Sequence, residues 1–191
     1  MADLKTLTRD SQISSLSSEA QALITGGTGA NPSWGDVSGG LIQTVQSKSH
    51  TATSIGTANT FIRIPATEIN ITTQQSGSKI FVHMSIGGEI DSAPGNIIMG
   101  LQYKIGSGGT WSDAMDGDAI IENGTVSTNG SMGHNLMFVH THGQSVGTQI
   151  YYSMVLSNSA GVSDYELNQQ NIAGTPSGFL EAGISILQEI A

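Results

Sequence analysis

Histidine is the residue type best placed to do chemistry in this chain. Three of its five histidines, His134, His140 and His142, fall close together, with His50 and His83 elsewhere. In a strand, His140 and His142 share one face, and neutral imidazoles suit Zn, Fe or Ni. The same residues also read as polar positions at a strand end near solvent, and that plainer reading is adopted. Asp113, Asp116, Asp118 and Glu122 supply oxygens of the kind Ca²⁺ takes. Their spacing and that of Gly117 do not fit the EF-hand loop, and an Asp-Gly pair is an ordinary turn former. The segment Gly143-Gln144-Ser145-Val146-Gly147 fits the G-x-S-x-G elbow of hydrolases, which needs a strand before it and a helix after it. The residues after Gly147 read as a second strand, so a hairpin turn is expected. Gly106-Ser107-Gly108-Gly109 is not followed by Lys-Ser/Thr and is no phosphate loop. Trp111, after that Gly-rich loop, is the best sugar-contact candidate, or else a side chain folded back on the body. No catalytic, cofactor-binding or metal-binding residue is assigned, and no enzymatic activity is expected.

The elements that would position these groups are strands. Ile80, Val82, Met84 and Ile86 alternate within Lys79 to Ile86, as do Ile97, Met99, Leu101, Tyr103 and Ile105 within Ile97 to Ile105. Asn135 to His142 is a further strand. Gln149 to Ser157 is another, with Ile150, Tyr152, Met154 and Leu156 on one face. Phe179 to Ile190 closes the series, with Leu180, Ala182, Ile184 and Ile186 expected inward. Shorter candidates are Phe61 to Ile64 and Ile69 to Thr72, and a strand-like region opens at Leu41. Alternation of period two predicts strands with one buried face. Gly, Asn, Asp and Ser punctuate the runs, and no repeat period or long helix is evident in the body. The expectation is an all-β fold, an antiparallel β-sandwich or jelly roll, preceded by an extended N-terminal arm. A second apolar face, Met137 and Val139 opposite Leu136 and Phe138, implies burial against another sheet or another subunit.

The 191 residues suit one domain plus an arm. The expected division is residues 1–39, arm and Gly-rich junction, and residues 40–191, the sandwich body. Charged residues make up only 11% of the chain, well below the roughly 25% of ordinary domains, which suits subunit contacts better than a free monomer. The net charge is −9 with no Lys/Arg cluster, which argues against nucleic acid and anionic membranes as partners. There is no cysteine, hence neither disulfide nor thiolate site. No secretory h-region and no membrane-spanning apolar run is read in the sequence.

Within the arm, Leu16, Ala20, Leu23 and Ile24 have helical spacing, so a short helix over Ser17 to Ile24 is open, as is a disordered terminus. Leu23 to Gly40, LITGGTGANPSWGDVSGG, has neither period and is read as a non-regular junction with Pro32 and Trp34 as anchors. That junction, the Glu68–Thr72 strand with the Ser76-Gly77-Ser78 turn into Lys79–Val82, and the closing Phe179–Ile190 strand carry a likeness. Through them the chain resembles tailed-bacteriophage virion fibre and decoration proteins with a C-terminal, tumour-necrosis-factor-like jelly roll. The resemblance implies a homotrimer located in the virion. It implies docking on the major capsid protein or another virion protein through Leu4, Leu7, Ile13, Leu16, Leu23, Ile24, Pro32 and Trp34. A host-surface glycan is a further implied partner. His140 and His142 also look like the metal-binding His pairs of some phage fibre tips. The body would be a capsid decoration or head fibre, or alternatively a tail-fibre tip or receptor-binding module.

Overall fold

The computed structural model describes residues 21–24, 33–36, 40–55, 60–90, 97–116, 120–122, 130–158, 165–167 and 183–191. The chain divides into two units, residues 1–40 and 41–191. In the first, β1 (Gln21–Ile24) pairs antiparallel with β2 (Ser33–Asp36), Leu23 opposite Trp34 and Ile24 opposite Ser33. This corrects two expectations. Residues 21–24 are strand rather than helix, and the junction contains paired strand. Gly and Pro between β1 and β2 mask any period-two signal, and a strand of four residues is too short to show one. Leu4, Leu7, Ile13, Leu16 and Pro32 lie outside the described residues.

The second unit is all-β. Its elements are β3 (Leu41–Ser49), β4 (Thr53–Ile55), β5 (Ile62–Arg63), a 3₁₀ turn (Pro65–Thr67), β6 (Ile69–Thr72), β7 (Lys79–Ile90) and β8 (Ile97–Ile105). They continue with β9 (Ser112–Asp113), β10 (Ile120–Glu122), β11 (Gly130–His140), β12 (Gln149–Asn158), β13 (Tyr165–Leu167) and β14 (Gly183–Ile190). Two six-stranded antiparallel sheets form a β-sandwich arrangement. Sheet I runs β3-β14-β7-β13-β4, with β11 on the other edge of β7; sheet II runs β10-β8-β12-β5, with β6 on β12 and β9 on β8. β14 thus sits between β3 and β7, joining segments far apart in sequence.

The alternation seen in sequence becomes the core. Ile80, Val82, Met84 and Ile86 from β7 meet Ile97, Met99 and Leu101 from β8 and Ile150, Tyr152, Met154 and Leu156 from β12, all buried. Full burial contributes about 1.5–3 kcal/mol per large apolar side chain. Ile105, at the end of β8, is instead partly exposed.

On β14 the expected faces are exchanged. Gly183, Ser185, Leu187 and Glu189 point inward, while Ile184 is 44% exposed and Ile186 lies on the same outer face. Hydrophobicity alone favours the opposite choice. The inward positions are set by local partners instead. A Cβ at Gly183 would lie 2.8 Å from the Ala66 carbonyl oxygen, so only glycine fits this approach. Ser185 Oγ donates to the Thr67 carbonyl at 2.9 Å. Leu187 enters the core, and Glu189 is met by donors from the turn before β7 and from β3. Leu180 and Ala182 lie outside the described residues.

Candidate functional site

Three places gather the side chains singled out by the sequence. The first is the inner face at one end of sheet I, where a row across the strands reads His140, Ile80, Glu189, Gln43. Glu189 is fully buried. Its carboxylate accepts from the backbone N–H of Gln74 at 3.0 and 2.9 Å, from that of Gln75 at 2.9 Å, from Ser78 Oγ at 2.6 Å and from Gln43 Nε2 at 2.6 Å. Burial pushes its carboxyl up, but the hydrogen bonds from Ser78, Gln43, Gln75 and Gln74 together outweigh burial and hold it below the usual range. Ser78 Oγ also lies 2.8 Å from the Gln75 carbonyl and 3.4 Å from His142 Nε2. The Gln144 N–H donates to His142 Nδ1 at 2.9 Å. Nδ1 is therefore the acceptor, and a neutral ring carries its proton on Nε2. Burial lowers the His142 pKa against the opposing pull of Glu189.

Serine, histidine and carboxylate thus meet, but in an order that does not make a nucleophile. In a triad the histidine stands between the acid and the serine, and the serine faces substrate. Here Ser78 is the middle member, is buried, and gives its hydrogen bond to the acid. The cluster ties the turn between β6 and β7 to β14. Sequence reasoning missed Glu189. Its donors lie 111–115 residues earlier for the turn and 146 for Gln43, and nothing in the local pattern points to them.

His140 belongs to a neighbouring aromatic group. Its Nδ1 lies 2.9 Å from the Tyr152 hydroxyl, and the Tyr103 ring centre is 4.4 Å from its own. Burial, then the adjacent His142, lower its pKa, and Asp116 opposes them. Burial, with Tyr103 second, pushes the Tyr152 phenol up, so it stays protonated. His140 and His142 are therefore core-facing, which corrects their reading as residues near solvent: each has a hydrogen-bonding partner inside. His134 is buried as well. Among the described residues no three His, Asp or Glu side chains are grouped to hold a metal. Asp113 Oδ1 accepts from the Met115 N–H at 2.8 Å, and Asp116 turns the chain with φ +53. Asp118 lies outside the described residues. Gly143 to Gly147 lies in the connection from β11 in sheet I to β12 in sheet II, a crossing between sheets and not the hairpin turn expected, with Gly143 at φ +63 and Gly147 at φ +83. Its Ser145 carbonyl accepts from Thr73 Oγ1 at 2.6 Å.

The second place is the outer face of sheet I. The register aligns Asn135, Ser85, Ile184 and Lys48, then Met137, His83, Ile186 and Gln46, then Val139, Phe81, Gln188 and Thr44. Met137 is 62% exposed, Val139 45% and Leu41 59%. Leu136 and Phe138 turn to the core, as the alternation requires. Lys48 and Lys79 lie on this face, whereas no carboxylate does among the described side chains of β3, β7, β11 and β14. The third place is the outer face of sheet II, where Trp111 lies against Arg63 and Lys104.

No family model matches the chain, and no curated protein matches it. Similarity to solved structures exists at low identity. An infectious bursal disease virus structure, Gt strain, aligns with TM-score 0.40 and 13% identity, covering 90% of this chain and 43% of that one. The VP2 subviral particle of the same virus gives 0.37 and 16%, with the same coverages. A Bacillus endospore appendage that forms disulfide-linked pili gives 0.30 and 14%, covering 78% of this chain and 89% of that one. The chain thus spans less than half the length of the virus chains it matches. Likeness at these scores adds no weight to a functional reading.

Proposed function

We propose that this chain is a non-enzymatic structural protein of a phage virion, of the capsid-decoration or head-fibre type. In this reading residues 1–39 dock on the major capsid protein or another virion protein, and the β-sandwich projects as a homotrimer. The observation that carries it is the outer face of sheet I, where Met137, Val139, Ile184 and Leu41 stand exposed on neighbouring strands. Four strands about 4.8 Å apart and eight residues long at ~3.4 Å each span roughly 500 Å² in plan. Stable interfaces bury ~800 Å² per partner, so such a face would supply the larger part of one. In a chain of net charge −9, a face with no carboxylate among its described side chains is where like copies meet with least repulsion.

Light scattering of the purified protein, followed by co-sedimentation with virions, tests both halves. A three-copy mass and particle binding that is lost on deletion of residues 2–30 are expected. A single-copy mass refutes the trimer, and particle binding by the deleted chain refutes the arm. A tail-fibre tip or receptor-binding module is the second reading, favoured by the cation and aromatic cluster around Trp111. A handful of copies per particle rather than hundreds would select it.

A further inference from the structure

One long strand of sheet I ends the sheet without any of the devices that edges carry. A flank of β11 pairs with β7 from Gly130 to His140, and its other flank meets no described strand. The remaining described edges differ from it. β5 and β9 have 2 residues each, β4 and β10 have 3, and β6 has 4. β3 is long, but it carries Lys48, and its pairing with β14 shifts register between Glu189 and Ile190. Shortness, a lysine and a break in register are means by which sheet edges avoid joining other chains. Between Gly130 and His140 there is no Lys, Arg, Asp, Glu or Pro, and the register against β7 is unbroken.

The stretch of this edge best suited to contact is Asn135 to Val139. Asn135, Met137 and Val139 are exposed, whereas Leu136 is in the core and Phe138 packs against it. A strand edge presents backbone donors and acceptors in a row, which an extended chain takes up by adding a strand. The side chains then decide which chain fits. An uncharged edge selects no charged partner. The charge of the whole molecule is also remote from it. In the register Glu89 stands across from Ser131, roughly 20 Å along the strand from Met137. That exceeds the ~8 Å over which charges are felt in physiological salt. Asp116 acts on His140, beyond the other end of the stretch.

A second copy of the chain meets these terms by symmetry. A two-fold axis normal to the sheet sets two β11 strands antiparallel and keeps each face on its own side, so outward residues stand opposite outward ones. A foreign strand has no such enforced match. With the axis at Met137, that residue stands beside its counterpart, Asn135 beside Val139, and Leu136 beside Phe138. Outside, the apolar flanks of Met137 and Val139 are covered. Inside, an aliphatic side chain meets an aromatic one, a favourable cross-strand pair. We infer that β11 pairs antiparallel with β11 of a second copy, about a two-fold axis at Met137 and over residues 135–139. The six-stranded sheets I of the two copies then run on as one. This contact is made edge to edge, apart from the one proposed between outer faces, and neither requires the other.

The chain has no cysteine, so single cysteines report the contact in the full-length protein. Met137→Cys, oxidised with copper phenanthroline at ~0.15 M salt, should run as linked pairs on a non-reducing denaturing gel. Asn135→Cys and Val139→Cys should each stay single alone and link to one another when mixed. Moving the cysteine from 137 to 135 or 139 parts like positions by roughly 14 Å along the strands, and a disulfide closes only below about 7 Å between Cα atoms. These positions are exposed, so melting temperatures should match the parent's. Thr44→Cys, exposed on β3, should not link. Met137→Cys should still link when combined with Ile184→Lys, because Ile184 lies on the outer face and not at the edge. Absence of linkage at 137 overturns the inference. So does its loss in the Ile184→Lys background, which would assign it to the outer faces. Equal linkage of all the single variants overturns it too, as the mark of random collision.

Discussion

On the inner face of β14 stands an ionised carboxylate, wholly buried; on its outer face, isoleucines stand in contact with water. The two faces differ in what waits opposite them. Inside, Gln43, Gln74, Gln75 and Ser78 surround Glu189 with donors, so the charge is matched where it lies. Outside, Ile184 has Ser85 and Lys48 beside it, and nothing among the described residues covers the row. Local complementarity, and not hydrophobicity, decides which side of this strand is core. A buried charge is tolerable only with such a set of partners.

Removing those partners should have the largest effect on the comparison. Glu189→Ala leaves the backbone N–H groups of Gln74 and Gln75 without their acceptor, while Ser78 Oγ keeps the Gln75 carbonyl and Gln43 Nε2 the Thr72 carbonyl. It should destabilise the body by about 3 kcal/mol in urea unfolding. A loss under about 1 kcal/mol would mean that water replaces the carboxylate freely and that the inner face is not held by it.

Acid should act next and more mildly. The buried His140 and His142 have pKa values below the ordinary histidine value. Their neutral rings therefore contribute stability that is complete above about pH 6.5 and is lost as the pH falls from there through their lower folded values. Glu189, also lowered, contributes stability present above the ordinary carboxylate value and lost as the pH falls through its folded value. Melting temperature should therefore decline in two stages, the first of them flattened in His142→Gln. A profile unchanged between about pH 7.5 and 5 would show that His142 does not hold its turn.

The outer face should give the smallest change in stability and a clear change in company. Met137→Asp with Ile184→Asp should alter the unfolding free energy of a single copy by under about 0.5 kcal/mol, as surface changes do. The same pair should leave the protein as single copies in sedimentation. Unfolding of the variant would show that these positions belong to the fold itself.

Much of the sandwich was readable because its strands are long enough to display a period. Lys79 to Ile86 and Gln149 to Ser157 alternate and fill the core as expected. β14 was legible as a strand and illegible in its facing, because Gly183, Ser185 and Glu189 face inward for reasons carried by Ala66, Thr67 and the turn before β7. The β1–β2 pair was missed since four-residue strands among Gly and Pro have no period to show. Of the chemical candidates, Trp111 was visible as an aromatic after a Gly-rich loop. Its cations were not, because Arg63 reaches it from a distant strand.

The position of β14 between β3 and β7 also governs how the molecule comes into being. Ile186 pairs with Gln46 on one side and His83 on the other, so sheet I closes only across more than a hundred intervening residues. Chains dominated by such distant pairings acquire their structure slowly, in milliseconds to seconds. Without β14, the flank of β7 over residues 79–85 has no described strand beside it. Pairing of that open flank with another chain is the hazard that so late a strand carries.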